Sequence, residues 1–159
     1  MKQPGMKPSG LDVLDDALLR LRRLWSASRQ RLVDDSGVPV VISSLIVVET
    51  CARGEATGFE VSVNDVAALA DVAPSTASRL VDRAEASGFV DRAPSLVDPR
   101  RTALTLTGRG RSLQARAHEA RIGWLGGQLQ DWSPEDVDLL ARLLARFADT
   151  LDARTLGGP

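Results

Sequence analysis

The chain has 159 residues, a length that suits one domain, or a domain with an attached dimerisation element, and that buries a core without cross-links. Cys51 is the single cysteine, which excludes an intrachain disulfide, a four-ligand cysteine site and a C-x-x-C redox motif, and His118 is the single histidine, which argues against a metal site within one chain. The formal net charge of -1 argues against a generic polyanion binder, yet residues 74–111 hold seven arginines against four carboxylates and residues 131–152 hold six carboxylates against two arginines. Such asymmetry gives the chain one face for an anionic partner and another facing away from it.

Residues 1–10 are polar, with two prolines and two glycines, and read as a frayed tail with no signal-peptide core. No later run reaches the apolar length of a membrane span, so the expectation is a soluble, cytoplasmic protein without a membrane partner. From residue 11 to about 32, Leu11, Leu14, Leu18, Leu21 and Trp25 fall at the spacing of one helical face, and Asp34, Asp35, Ser36 and Gly37 break the helix.

Residues 38–53 carry conflicting signals. The β-branched residues favour a strand, but the run is long, Pro39 suits a first helical turn and Gly54 suits a C-terminal cap, so the reading is a buried helix. Ser43 and Ser44 within it can bond back to a carbonyl one turn earlier. A loop follows to Val61, with a short edge strand around residues 60–62. Ser62 and Asp65 then form a capping-box variant, with Val61 and Val66 in the staple positions and Val66, Leu69 and Ala70 on the inner face of a short helix.

Asp71, Val72 and Ala73 make a turn, and Pro74 opens a second helix. Ala77, Leu80, Val81 and Ala84 repeat at core spacing, which turns Ser75, Thr76, Ser78, Arg79, Asp82 and Arg83 outward. Small hydroxylated residues at a helix N-terminus allow deep approach to a major groove, and arginine reaches guanine. Gly88 ends this helix. Residues 89–93 and 102–107 are strands, the second with Leu104 and Leu106 inward and Ala103 and Thr105 outward. Between them lies a tip with Asp98, Pro99, Arg100 and Arg101, in which Arg100 suits a minor groove and Asp98 suits an ion pair holding it. Thr107 caps a long helix to about Leu129, and Ser133, Pro134, Glu135 and Asp136 start a last one. Its apolar stripe is wider than one partner helix needs, which suggests packing against a second subunit.

The run Ala73-Pro74-Ser75-Thr76-Ala77-Ser78-Arg79-Leu80-Val81-Asp82-Arg83, then Gly88-Phe89-Val90-Asp91-Arg92, then Asp98-Pro99-Arg100 leading into Leu104-Thr105-Leu106-Thr107 and Gly110, resembles the MarR family of bacterial transcriptional regulators. The order and spacing of these pieces make the joint match specific, and it covers nearly the whole chain. The resemblance implies a mainly α fold with a small β wing: a winged helix-turn-helix over residues 38–107, between a first dimerisation helix at 11–37 and C-terminal dimerisation helices at 108–154, with a second tail at 155–159. It also implies a homodimer that binds double-stranded DNA at a pseudo-palindromic operator, acting as a repressor that a small ligand or cysteine oxidation releases. Two departures stand out: residues 38–53 are valine-rich where the family often has a leucine-threonine start, and the chain has no tyrosine.

The DNA-binding candidates are Pro74, Ser75, Thr76, Ser78, Arg79 and Arg83 on the second helix of the motif and Asp98, Arg100 and Arg101 on the wing. Trp25, Ser43, Ser44 and Trp124 are candidates to line a cavity for a small aromatic or amphipathic effector; the other reading is core packing for the tryptophans and satisfied helix hydroxyls for the serines. Cys51 reads as a small buried hydrophobe, the alternative being a redox sensor. His118 reads as a helix-surface residue near the dimer contact. A winged helix used for protein contact is the competing function, but it calls for an apolar recognition face, whereas this one carries hydroxyls and arginines. No G-x-S-x-G, phosphate loop or catalytic constellation points to an enzyme, and no cofactor motif is present.

Overall fold

The computed structural model describes residues 9–27, 37, 40, 42–98 and 100–156, except for the side chains of 22–27, 42 and 152–156. The elements in order are α1 (Gly10–Ala27), α2 (Ile42–Thr57), α3 (Val63–Ala70), α4 (Pro74–Ala86), β1 (Val90–Pro94), β2 (Thr102–Leu106), α5 (Gly108–Gln128) and α6 (Pro134–Leu156). This is the mainly helical chain with a small β wing that the sequence leads one to expect.

The N-terminal tail gives way at Ser9, two residues earlier than the spacing of leucines indicates. Asp12 N–H donates to Ser9 Oγ at 3.2 Å and Ser9 N–H donates to Asp12 Oδ2 at 2.7 Å, so the pair caps α1 reciprocally. Residues 1–8 and 157–159 of the two tails, and the expected break at 34–36, lie outside the described residues, as does Pro39.

Helix α2 continues past the glycine expected to end it. A Cβ on Gly54 would lie 2.3 Å from Val61 Cγ2 and 2.7 Å from the Phe59 carbonyl oxygen, so glycine there permits the following loop to fold back against the helix. The stop comes at Gly58, with φ of +70°, where Phe59 N–H bonds the Gly54 carbonyl at 2.9 Å.

Helix α3 starts as its capping pattern indicates. The Ser62 backbone N–H and hydroxyl donate to Asp65 Oδ2 at 2.7 and 2.6 Å, and Val61 and Val66 are both buried. Its inner face is centred on Val63, Val66 and Ala67; Leu69, expected inside, is 50% exposed because Ala67 occupies the sector turned to the core. Asp71, with φ of 51°, ends the helix and turns the chain into α4, where Pro74 sits at the first position. Ala77, Val81 and Ala84 are fully buried, with Leu80 packed beside them.

Strands β1 and β2 pair antiparallel, from Val90 opposite Leu106 to Pro94 opposite Thr102. The edge strand expected at 60–62 is a single bridge, in which Leu104 N–H bonds the Val61 carbonyl at 2.8 Å. Leu104 and Leu106 face inward, and Ala103, expected outward, is buried as well, at the lining of a cleft that it shares with Phe59 and Leu96.

The start of α5 is stitched to the end of α4. Gly110 N–H donates to Thr107 Oγ1 at 3.0 Å, and the Thr107 hydroxyl donates to the Gly88 carbonyl at 2.7 Å. Val47, Val48, Val66, Val81, Val90 and Leu113 form the centre of the resulting core. Among the described residues, helices α1 and α6 make no extensive contact with any other element. They leave Leu11, Leu14 and Leu18 on α1 and Leu139, Leu143 and Phe147 on α6 between 39% and 77% exposed. No helix among the described residues is long and apolar enough to cross a membrane.

Candidate nucleic-acid interface

The helical part of the site follows from which residues α4 commits to the core. With Ala77, Val81 and Ala84 inside, Pro74, Ser75, Thr76, Arg79 and Arg83 are exposed and Ser78 is half-buried. Arg83 is drawn back onto the scaffold, its guanidinium donating to Ser43 Oγ at 3.1 Å across to α2. The Ser43 hydroxyl thereby serves as the acceptor for an arginine of α4. The exposed N-terminal turn of α4 thus offers hydroxyls and one outward arginine at the positive end of a helix dipole.

The wing tip is ordered by its own polar groups. Asp98 Oδ1 accepts the backbone N–H of Arg100 at 3.0 Å, and the Asp98 carbonyl accepts the N–H of Arg101 at 2.8 Å. The side-chain ion pair expected between Asp98 and Arg100 is therefore replaced by an Asx-type turn, since the short carboxylate reaches the nearby amide more readily than the end of a long side chain. Both arginine side chains are exposed. Pro99 lies outside the described residues.

A residue that the sequence reading did not single out joins the two parts. Arg92 on β1 places one guanidinium nitrogen 2.6 Å from Asp82 Oδ1 and the other 2.5 Å from Glu85 Oε2, both on α4. The fork geometry ties the first wing strand to the recognition-type helix. Strand alternation was the available signal, because it turns Arg92 to the side opposite Asp91.

Three of the four effector candidates have described side chains. Trp25 lies outside the described side chains, Ser44 is buried in α2, Ser43 is engaged by Arg83, and Trp124 is half-buried on α5. An open cleft of about 350 Å³ lies elsewhere, lined by Cys51, Gly54, Phe59, Val61, Leu96 and Leu104 among others. Cys51 is 1% exposed, and burial, reinforced by the charge of Glu55, pushes its thiol up to about 12. A thiol in that state is a poor nucleophile, which weighs against the redox reading. His118 is exposed on α5, and the described residues contain no group of three or more potential metal ligands.

No protein-family model matches the chain. An uncharacterized HTH-type transcriptional regulator of Mycobacterium bovis is 29% identical over 136 residues, covering 85% of this chain and 90% of the relative. Among solved structures, a MarR family protein from Bacillus stearothermophilus superposes with a TM-score of 0.74 at 19% identity, over 93% of this chain and 99% of that one. The Bordetella bronchiseptica protein BpsR, whose DNA binding is regulated by 6-hydroxynicotinic acid, superposes with a TM-score of 0.60 at 18% identity, over 85% of this chain and 98% of that one. The resemblance to the MarR family read from the sequence is thus matched by the fold.

Proposed function

We propose that this chain, which has the MarR-type winged helix-turn-helix fold, is a cytoplasmic DNA-binding transcriptional regulator that acts as a homodimer on a pseudo-palindromic operator. The observation that carries this reading is the exposed face of α4, where Ser75, Thr76 and Arg79 stand at the N-terminal turn while Arg92 ties the same helix to a wing bearing Arg100 and Arg101. Two such units in a symmetric dimer would enter successive major grooves about 34 Å apart. Repression follows if the operator overlaps a promoter. Release follows if an effector favours a spacing that docks only one unit. The exposed leucines of α1 and α6 support the dimer, and the effector-regulated relative makes a small aromatic effector the ligand class to try first.

Selection of bound duplexes from a random DNA pool tests the proposal. The expected product is a palindrome whose half-sites are separated by about one helical turn. No enrichment at low salt by a folded dimer would overturn the reading. A fluorescence titration of the selected duplex then checks the wing: Arg100→Ala should weaken binding about 3- to 10-fold and lower the slope of log affinity against log salt by roughly 1. Unchanged affinity and slope would remove Arg100 from the interface.

A further inference from the structure

The root of the wing is held by a residue that belongs neither to α4 nor to the hairpin. Glu60 lies in the loop between α2 and α3, 35 residues before Ser95, whose hydroxyl donates to Glu60 Oε2 in a short hydrogen bond. The other carboxylate oxygen, Oε1, accepts the Leu96 N–H at 2.7 Å. The Ser95 hydroxyl in turn accepts the N–H groups of Val97 and Asp98 at 3.1 and 3.0 Å, and Ser95 N–H bonds the Arg101 carbonyl at 2.9 Å. Asp98 then holds the backbone of Arg100 and Arg101. A continuous chain of hydrogen bonds therefore runs from Glu60 through Ser95 to the two wing arginines.

The scaffold end of this chain is fixed. Val61, next to Glu60, is buried and bonded to Leu104 on β2, and Gly54 lets the loop lie against α2. The wing end is equally constrained, because Ser95 is only 7% exposed. The Glu60 carboxyl is held below the usual range by the Ser95 hydroxyl first and the Leu96 N–H second, so the acceptor stays ionised at neutral pH.

We propose that Glu60 is a positioning residue for DNA binding: acting through Ser95, it sets the pose in which the wing presents Arg100 and Arg101. The assignment rests on the DNA-binding reading above. It has a sign that simple electrostatics does not share. A carboxylate near a phosphate-facing surface opposes binding, so its removal should strengthen affinity if charge alone mattered. A positioning role requires that removal weaken it.

The test uses the full-length chain, a duplex selected by the wild-type protein and fluorescence titrations over a range of salt. Glu60→Ala should weaken binding about 3- to 10-fold and reduce the salt slope by between roughly 1 and 2, as one or both wing contacts are lost. Glu60→Gln, which keeps one acceptor oxygen, should lose less. In an Arg100→Ala/Arg101→Ala background, Glu60→Ala should no longer weaken binding. Amide exchange in the free protein supplies the independent readout: the amides of Leu96, Val97 and Asp98 should exchange faster in Glu60→Ala while those of Val81 and Leu113 are unchanged.

Equal or tighter binding by Glu60→Ala, or the same loss in the background without wing arginines, would overturn the proposal. Unchanged exchange at residues 96–98 would overturn the tether itself. Faster exchange in the variant, with no DNA binding by the wild type at low salt, would instead overturn the functional reading and with it the DNA role of Glu60, leaving the tether intact.

Discussion

Gly110 marks the closest approach between backbone segments at the start of α5, where a Cβ would lie 2.0 Å from the Phe89 carbonyl oxygen. That oxygen accepts the Thr107 N–H at 3.1 Å, so neither it nor the helix start can withdraw without breaking the junction of α4, β1 and α5. Gly110→Ala is expected to destabilise the fold by about 3 kcal/mol, as overpacking against immobile backbone does, and thermal unfolding measures it. A melting temperature equal to the wild type would mean that the junction is softer than its geometry indicates. Cys51 presents the opposite case, a side chain that fits its surroundings only while neutral. Its folded value of about 12 lies above the ordinary 9.0, so its contribution to stability is present in full below pH 9 and is lost as pH rises toward 12. At pH 8 the thiol should react with a small alkylating reagent at least about 100-fold more slowly in the folded protein than in urea. Comparable rates in the two states would restore the redox reading.

Between elements, the ion pairs of Arg92 and the Glu60 chain hold the wing from two sides, one reaching α4 and the other the loop before α3. The Arg92 contacts are solvent-exposed, so their removal costs little stability, well under about 1 kcal/mol, while their effect on wing orientation is larger. Arg92→Met is therefore expected to melt within a few degrees of the wild type and to bind the selected duplex about 3-fold more weakly; a titration curve superimposable on the wild type would show that β1 needs no such tie. How far these elements were legible depended on the range of the contact involved. The capping residues Ser62 and Asp65, the helix-opening Pro74 and the cap at Thr107 act on groups within a few positions, and their patterns located the starts of α3, α4 and α5. Gly54 misled because a glycine required for close packing is written with the same letter as a glycine that ends a helix; only the position of Val61 distinguishes the two. Leu69 misled because both sides of a short helix carried apolar residues, and the choice between them belongs to tertiary packing. Glu60 gave no signal, since its partners lie 35 and 36 residues away.

At the scale of the whole molecule, the chain divides its apolar surface unequally. The lobe formed by α2 to α5 and the hairpin closes a core of fully buried valines around Leu113, whereas α1 and α6 leave much of the surface of their described leucines exposed. Leu139, Leu143 and Leu144 on α6 and Leu11, Leu14 and Leu18 on α1 are each at least 39% exposed. Completing the burial of a leucine contributes up to about 1.5–3 kcal/mol, so a symmetric partner covering several of them supplies enough to hold two chains together at low concentration. The carboxylates between residues 131 and 152 give α6 a charge opposite to that of residues 74–111. Placing a charge within the apolar stripe tests this division of labour. Leu143→Glu is expected to sediment as a monomer at micromolar concentration with helicity by circular dichroism nearly unchanged in the lobe. Because a monomer engages one half-site and forgoes the linkage between two, its affinity for the palindromic duplex should fall by about 100-fold or more, while affinity for an isolated half-site stays close to that of the wild type. A variant that remains dimeric would move the interface off this stripe, and a monomer that binds the palindrome as tightly as the wild type would show that the spacing of two copies has no part in recognition.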